Sequence, residues 1–441
     1  RGYGRYMQQA ETEIENLPED FNGRCALRGE LLLTSVFEPP QDFDEFCRRI
    51  QEAAELIGGR SRVFQKGAHL FGEFYDVFSL CSGEPGHADE RAEKLFEIEE
   101  VFYRLTGGGR GTSLCYRAQL AYYRGDWQNA HIFAKQALEQ GEKNKQGLIC
   151  ICAAEVLARL ARHTQDNQLF CSALDYIENF ADDPQKTEDC NCRQCAEAIR
   201  CLLDVSMGFL QTVPDWMREG NIGMISAEWG FEAVDEKVPA GIFGLVLLLR
   251  IQYLISAGRS VMALNEADMM DRVYKIETLT TRAYLAIFRA VCYQQLGDRE
   301  RMSEQLLHAM EVIAPDGLWL IAAEFEPEFG ASIYEAAAQV DDSGIDIIRK
   351  VGANVIKNFD SIWEIALKDT PEELSQREQE VAALLIEGRK NVEIAEALNI
   401  SVSTVRTHLE SIYRKKGIAR RGQLSLAMKE RNVETAFWVK K

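Results

Sequence analysis

Two stretches of the chain carry residues whose types and spacing could do chemistry. The first is Cys190-Asn-Cys-Arg-Gln-Cys-Ala-Glu-Ala-Ile-Arg-Cys201. Cys192 and Cys195 have the C-x-x-C spacing of a metal knuckle, and Cys190 and Cys201 could complete four thiolates, a set suited to zinc. A helix carrying both Cys195 and Cys201 would set them well apart around its axis. A closed site would then need a bend or another ligand, and the alternative is small hydrophobes packed in a helical core. The second stretch lies near the C-terminus. Ser403, Thr404, Arg406 and Thr407 are followed by Glu410 and by Arg414, Lys415 and Lys416, with Lys390 and Asn391 upstream. Hydroxyls and a guanidinium close together suit base edges, and clustered cations suit phosphates. Glu410 would repel phosphate or accept from a cytosine amine. No nucleophile–base pairing or carboxylate pair stands out, and there are only six histidines, so no enzyme is expected.

These residues need elements to hold them. Ser375 followed by Glu378 is a capping box that starts a helix, with Val381, Leu384 and Leu385 as its apolar stripe and Gly388 at its end. Asn391 opens a short helix with Ile394, Ala395 and Leu398 inward, and Asn399-Ile400 makes the turn. Ser401 caps a third helix that runs to about Lys416, where Gly417 stops it. On that helix Val405, His408, Leu409 and Ile412 fall at i, i+3, i+4 and i+7 and form the buried stripe. The opposite face carries Ser403, Arg406, Thr407, Glu410 and Arg414. A helix so presented, after a short helix and a tight turn, can lie in a DNA major groove. Arg406 and Thr407 then sit where base contacts arise. Lys390, Asn391 and Arg414 to Lys416 are better placed for phosphates. His408 reads as a packed histidine; for Ser403 the alternative is a role confined to the cap, and for Glu410 no contact at all.

The motifs Leu374-Ser-x-Arg-Glu-x-Glu-Val381, Glu393-Ile-Ala-x-x-Leu398, Ile400-Ser401, Thr404-Val-Arg-x-His408 and Ile412-Tyr-Arg-Lys-Lys-Gly-Ile418 together resemble the LuxR-type helix-turn-helix domain. The resemblance implies a four-helix domain whose third helix reads double-stranded DNA and whose fourth mediates dimer contacts. Here the fourth would run from about Arg421 to Lys429, with Leu424 and Met428 on one face. Lys416 departs from the apolar residue common at its place, and Arg406 from a common Lys.

Upstream the pattern is helix after helix. Ala118-Gln-Leu-Ala-Tyr-Tyr-Arg-Gly-Asp-Trp-Gln-Asn-Ala130 leads into Ala137-Leu138. Ala290-Val-Cys-Tyr-Gln-Gln-Leu-Gly-Asp-Arg299 leads into Leu306, Leu307 and Ala309. Ile255-Ser-Ala-Gly-Arg259 with Ala263 and Ala267 is a worn third copy. Each is a helix, a Gly turn and a second helix with small residues inward. Such pairs resemble tetratricopeptide repeats, which stack into a superhelix with a concave surface; an irregular helical bundle is the alternative. The stretch from Pro214-Asp-Trp216 through Gly241 to Gly258-Arg259, then Ala290 to Asp316-Gly317-Leu318, resembles the later part of the signal-binding superhelix of MalT-like regulators, which implies an ATP-binding switch module ahead of it. Gly107-Gly-Gly-Arg-Gly-Thr-Ser113 lacks the Lys of a phosphate loop and follows a helix, so it reads as a flexible interhelical loop. The module lies outside this sequence or is no part of the protein.

The expected architecture is all-α, with a helical-repeat sensor body over 1–365 and a LuxR-type domain over 366–441. Charge divides accordingly. From Thr370 onward 13 basic and 10 acidic residues occur, against 37 and 59 before it, within a net charge of −19. An acidic body should repel DNA while a basic tail approaches it. Ile242 to Ala257 is apolar but carries Arg250 and Gln252, so a buried helix is expected and no membrane span. With no signal peptide visible, the twelve cysteines are expected to be reduced in a cytoplasmic protein. The expected function is sequence-specific transcriptional regulation, with an unknown small-molecule or protein effector on the body and RNA polymerase as a candidate partner. The chain is expected to be monomeric without signal and dimeric on DNA. The other reading is an interaction scaffold with a DNA-tethering tail.

Overall fold

A computed structural model describes residues 2–18, 21, 23–36, 43–63, 76–181, 192–206, 213–214, 217–218, 240–274, 278–352, 375–386, 389, 391–401, 404–405 and 408–409. The protein is all-α, and no strand occurs among the described residues. It divides into two compact units, Arg1–Ile356 and Lys357–Lys441.

In the first unit consecutive helices pack as hairpins. Thr112–Tyr123 pairs with Trp127–Asn144, which pairs in turn with Gly147–Thr164; Ala240–Ser256 pairs with Ser260–Met269, and Leu279–Leu296 with Arg299–Ile313. Three of the turns are built alike. Gly125, Gly258 and Gly297 have φ of 73°, 70° and 79°, a left-handed conformation that glycine adopts without a Cβ clash. The next amide returns five residues: Asp126 to Ala121 at 2.9 Å, Arg259 to Leu254 at 2.8 Å, Asp298 to Tyr293 at 2.9 Å. Asp126 and Asp298 then cap the following helix, each accepting from an amide three residues on at 3.1 Å. Arg259 supplies no such cap, so the worn copy keeps the turn and loses the cap. The small residues noted in the sequence, Ala130, Ala137, Ala263, Ala267 and Ala309, are all buried.

Ala240–Ser256 is a packed helix of this unit. Its Arg250 is buried and pairs with Glu266 at 2.8 Å. No helix among the described residues is long and apolar enough to cross a membrane.

The Gly-rich loop differs from its expectation. It does join two helices, but Gly107, Gly108, Gly109, Gly111, Thr112 and Ser113 are buried. The amides of Gly111 and Ser113 converge on the Glu99 carboxylate at 3.0 and 2.6 Å, and the Gly109 amide donates to Gln146 at 2.7 Å. Backbone amides arranged this way bind anions. Here the anion is the chain's own side chain, so the loop is pinned and its cradle is filled.

The unit also closes between segments about two hundred residues apart in sequence. Helix Ala88–Thr106 has no side-chain cap of its own at His87. Asp316 supplies it, accepting from the Gly86 and Ala88 amides at 2.7 and 2.8 Å. The Leu279 amide donates to the Ser82 carbonyl at 2.7 Å, and the Ser79 and Thr280 hydroxyls meet at 2.5 Å.

Candidate nucleic-acid interface

The second unit is built from its caps inward. Ser375 and Glu378 form the reciprocal capping box: the Ser375 amide donates to the Glu378 carboxylate at 2.7 Å and the Glu378 amide to the Ser375 hydroxyl at 3.3 Å. Helix Gln376–Ile386 follows, and the Arg389 amide returns to the Leu384 carbonyl at 3.2 Å. Helix Asn391–Leu398 ends at Asn399, whose φ of 52° is left-handed; Asn tolerates this conformation better than most residues. The Ile400 amide then bonds back to Ala395 at 2.9 Å. Ser401 starts the third helix, its hydroxyl accepting from the Thr404 amide at 3.0 Å and its carbonyl from the Val405 amide at 3.0 Å.

One small core holds these pieces. Val381 and Ala382 from the first helix, Ile394 and Ala395 from the second, and Val405 and Leu409 from the third are buried together. Leu384, Leu398 and Ile400 pack against them. A helix, a short helix, a tight turn and a capped third helix around a shared apolar cluster are the elements of a helix-turn-helix.

Of the residues singled out for DNA, two are among those described, Asn391 and, with its side chain, Thr404. Thr404 is half-buried, and its hydroxyl lies 2.7 Å from that of Ser401, so it takes part in the cap. Asn391 opens the second helix, and His408 is half-buried beside Leu409. Ser403, Arg406, Thr407, Glu410, Arg414, Lys415, Lys416 and Lys390, and the dimer candidates Leu424 and Met428, lie outside the described residues. So does Cys190. Cys192 begins helix Cys192–Ser206, in which Cys195 and Cys201 are buried. Among the described residues no three Cys, His, Asp or Glu side chains gather as a metal cluster.

The first unit also holds a buried polar cluster that no motif in the sequence announces. Arg159 on helix Gly147–Thr164 reaches Glu155 at 3.3 Å and Glu324 at 3.5 Å, with its guanidinium 4.4 Å from the Tyr122 ring centre. The Tyr122 and Tyr284 hydroxyls donate to Glu324 at 3.1 and 3.2 Å, and His163 Nε2 lies 3.0 Å from the Tyr122 hydroxyl. Trp127 stacks on His163 with ring centres 5.1 Å apart. Burial, only partly offset by Arg159, pushes Glu155 up to about 7. Burial also pushes His163 down to about 4. Burial acts to raise Glu324 as well, but Arg159, His163 and Arg162 outweigh it and leave that carboxyl below its usual range. The legible signal was Glu155, Arg159, Arg162 and His163 interrupting an otherwise apolar helix.

Known proteins match short segments of the chain. Residues 372–428 match the family described as bacterial regulatory proteins, luxR family. The HTH-type transcriptional regulator YhjB of Escherichia coli is 44% identical over 55 residues, 12% of this chain and 28% of the relative. The transcriptional regulatory protein LiaR of Bacillus subtilis is 36% identical over 77 residues, 18% and 36% of the two chains. The transcriptional regulatory protein MctR of Rhizobium johnstonii is 35% identical over 60 residues, 14% and 28%. The matches thus span between 28% and 36% of the length of these relatives. No solved structure matches the chain.

Proposed function

We propose that this chain, whose C-terminal segment is a LuxR-family helix-turn-helix domain, is a sequence-specific transcriptional regulator. The observation that carries the proposal is the capped three-helix core with its turn at Asn399, lying within the segment that matches the family. In this reading the third helix enters the major groove. Arg406 and Thr407 read base edges, with Ser403, Thr404 and Glu410 on the same helix. Arg414, Lys415, Lys416, Lys390 and Asn391 engage phosphates. Leu424 and Met428 lie at a dimer contact.

The body is proposed as the part that receives a signal, with residues 1–365 as the sensor and 366–441 as the DNA-binding domain. Support comes from the repeated hairpins with like Gly turns, which suit a tetratricopeptide-like stack that offers a surface to an effector. DNA and an effector are the proposed partners, with RNA polymerase as a further candidate.

The test is selection of duplexes from a random-sequence pool by the full chain, followed by mobility shift. A defined sequence should emerge and bind more tightly than random duplex. Arg406→Ala should lose on the order of 1–3 kcal/mol on that sequence, the contribution of a bidentate base contact. Replacing Lys416 should weaken all duplexes alike and flatten the salt dependence. A chain that selects nothing and binds no duplex would overturn the proposal and leave a helical interaction scaffold.

A further inference from the structure

We infer that Arg377 is a positioning residue for the DNA-reading helix: it holds the turn from which that helix departs and does not itself touch DNA. The inference rests on the proposed reading of the third helix.

Arg377 stands in the first turn of helix Gln376–Ile386. One arm of its guanidinium pairs with Glu380 at 2.6 Å, and the other donates to the Leu398 carbonyl, 21 residues away in sequence. Leu398 is the last residue of helix Asn391–Leu398. The last four carbonyls of any helix lack partners within it, and a cation near a helix C-terminus is also favoured by the helix dipole. Arg377 thus supplies one missing partner, from a different helix.

Where that carbonyl lies decides what the contact can do. The next residue is Asn399, left-handed at φ 52°, and two residues later Ser401 caps the third helix. The direction of the third helix is therefore set over three residues. Two bonds fix this pivot locally, from the Ile400 amide to Ala395 and from the Thr404 amide to Ser401. The core leucines and valines hold the helices together, but apolar contact is not directional. The Arg377 bond adds a directional tie from the first helix to the pivot. A guanidinium reaches Glu380 and the carbonyl from two separate nitrogens held in a rigid planar fork; an ammonium would have to reach both from a single nitrogen on a flexible stem, which fixes the direction of neither bond as well.

A residue that sets the angle of a reading helix affects base contacts, which need exact register, more than phosphate contacts, which tolerate displacement. The experiment uses the full chain, a duplex selected from a random pool, a random duplex, and the variants Arg377→Ala, Arg377→Lys and Glu380→Gln. Expected for Arg377→Ala is a loss of about tenfold or more in the ratio of selected to random affinity, comparable with one bidentate base contact. Its affinity for random duplex and the salt slope of that binding should stay at the parent's values. Arg377→Lys should fall short of rescue, because it keeps the charge and loses the fork. Glu380→Gln, which leaves the carbonyl bond intact, should stay near the parent.

Three results would overturn the inference. One is an unchanged ratio in both Arg377 variants. Another is an equal loss on both duplexes with a salt slope reduced by about one, which would make Arg377 a phosphate contact. The third is full rescue by Arg377→Lys. If Arg377→Ala does not fold, judged by its melting curve, the Arg377→Lys and Glu380→Gln pair decides alone. A parent chain that selects no sequence would instead remove the underlying reading, a result distinct from the other three.

Discussion

Glu155 and His163 lie two turns apart on one helix and titrate in opposite senses. Glu155 is raised from 4.5 to about 7. Between those values the folded chain holds a proton that the unfolded chain has released, so the contribution of Glu155 to stability is present below 4.5 and lost as pH rises through about 7. His163 is lowered from 6.5 to about 4. Its contribution is present above 6.5 and lost as pH falls through about 4. From 4.5 to 6.5 the two slopes oppose one another, so the contributions of these two groups nearly cancel there. Glu155→Gln removes one slope. Relative to the parent, its stability should rise by on the order of 2 kcal/mol between pH 5 and pH 8. Urea unfolding at a series of pH values checks this, and parallel curves for parent and variant would refute it. The partners of these side chains were not legible in the sequence. Tyr284 and Glu324 lie 125 and 165 residues beyond Arg159, and no local pattern encodes such a pairing.

Local signals were legible because they act over three to five residues. The Ser375–Glu378 box, the Ser401 cap and the Gly-Asp turns each specify a cap or turn through bonds to near neighbours, so residue type and spacing suffice. Residue spacing likewise placed Ile394 and Ala395 of the second helix and Val405 and Leu409 of the third in the core, where they lie; Ile412, expected on the same stripe, falls outside the described residues. The same reasoning missed Ala382 on the first, where an alanine gives little apolar signal. It also misread the Gly-rich loop, whose pinning depends on Glu99 and Gln146 arriving from other helices. Helix Ala88–Thr106 shows the limit most clearly, since its cap comes from Asp316. Asp316→Ala would leave the Gly86 and Ala88 amides without that acceptor, and Ala88 is buried. A buried donor left unsatisfied costs roughly 1–3 kcal/mol, so a loss of about 2–4 kcal/mol is expected, with Asp316→Asn retaining part of it. An unchanged denaturation midpoint in Asp316→Ala would show that the long-range cap contributes nothing.

At the scale of the whole molecule, charge is unevenly divided along the chain. The segment before Thr370 carries 37 basic and 59 acidic residues, and the segment from it onward 13 and 10. The acidic part disfavours nonspecific contact with a polyanion and leaves the approach to the basic tail. On the proposed reading a single recognition helix per chain contacts few base pairs, so tight binding should need two chains on two half-sites. The chain alone is therefore expected to be largely monomeric at micromolar concentration and to bind duplex weakly, with an effector acting by its preference for the associated state. Sedimentation with and without selected DNA measures this. A stable dimer with full affinity and no effector would move regulation away from association.

The bonds from Asp316 to Gly86 and Ala88, and from Leu279 to Ser82, join distant parts of the body directly. Covalent continuity and mechanical continuity are thus separable in this protein. The exposed turn at Ala257, Gly258 and Arg259 carries the backbone from one part to the other, but the cohesion between them resides in noncovalent seams on either side. A protein severed there should behave as a complementing pair: the two fragments should co-elute from a sizing column and part only in denaturant, and fragments that separate in native buffer would show that the seams need the tether.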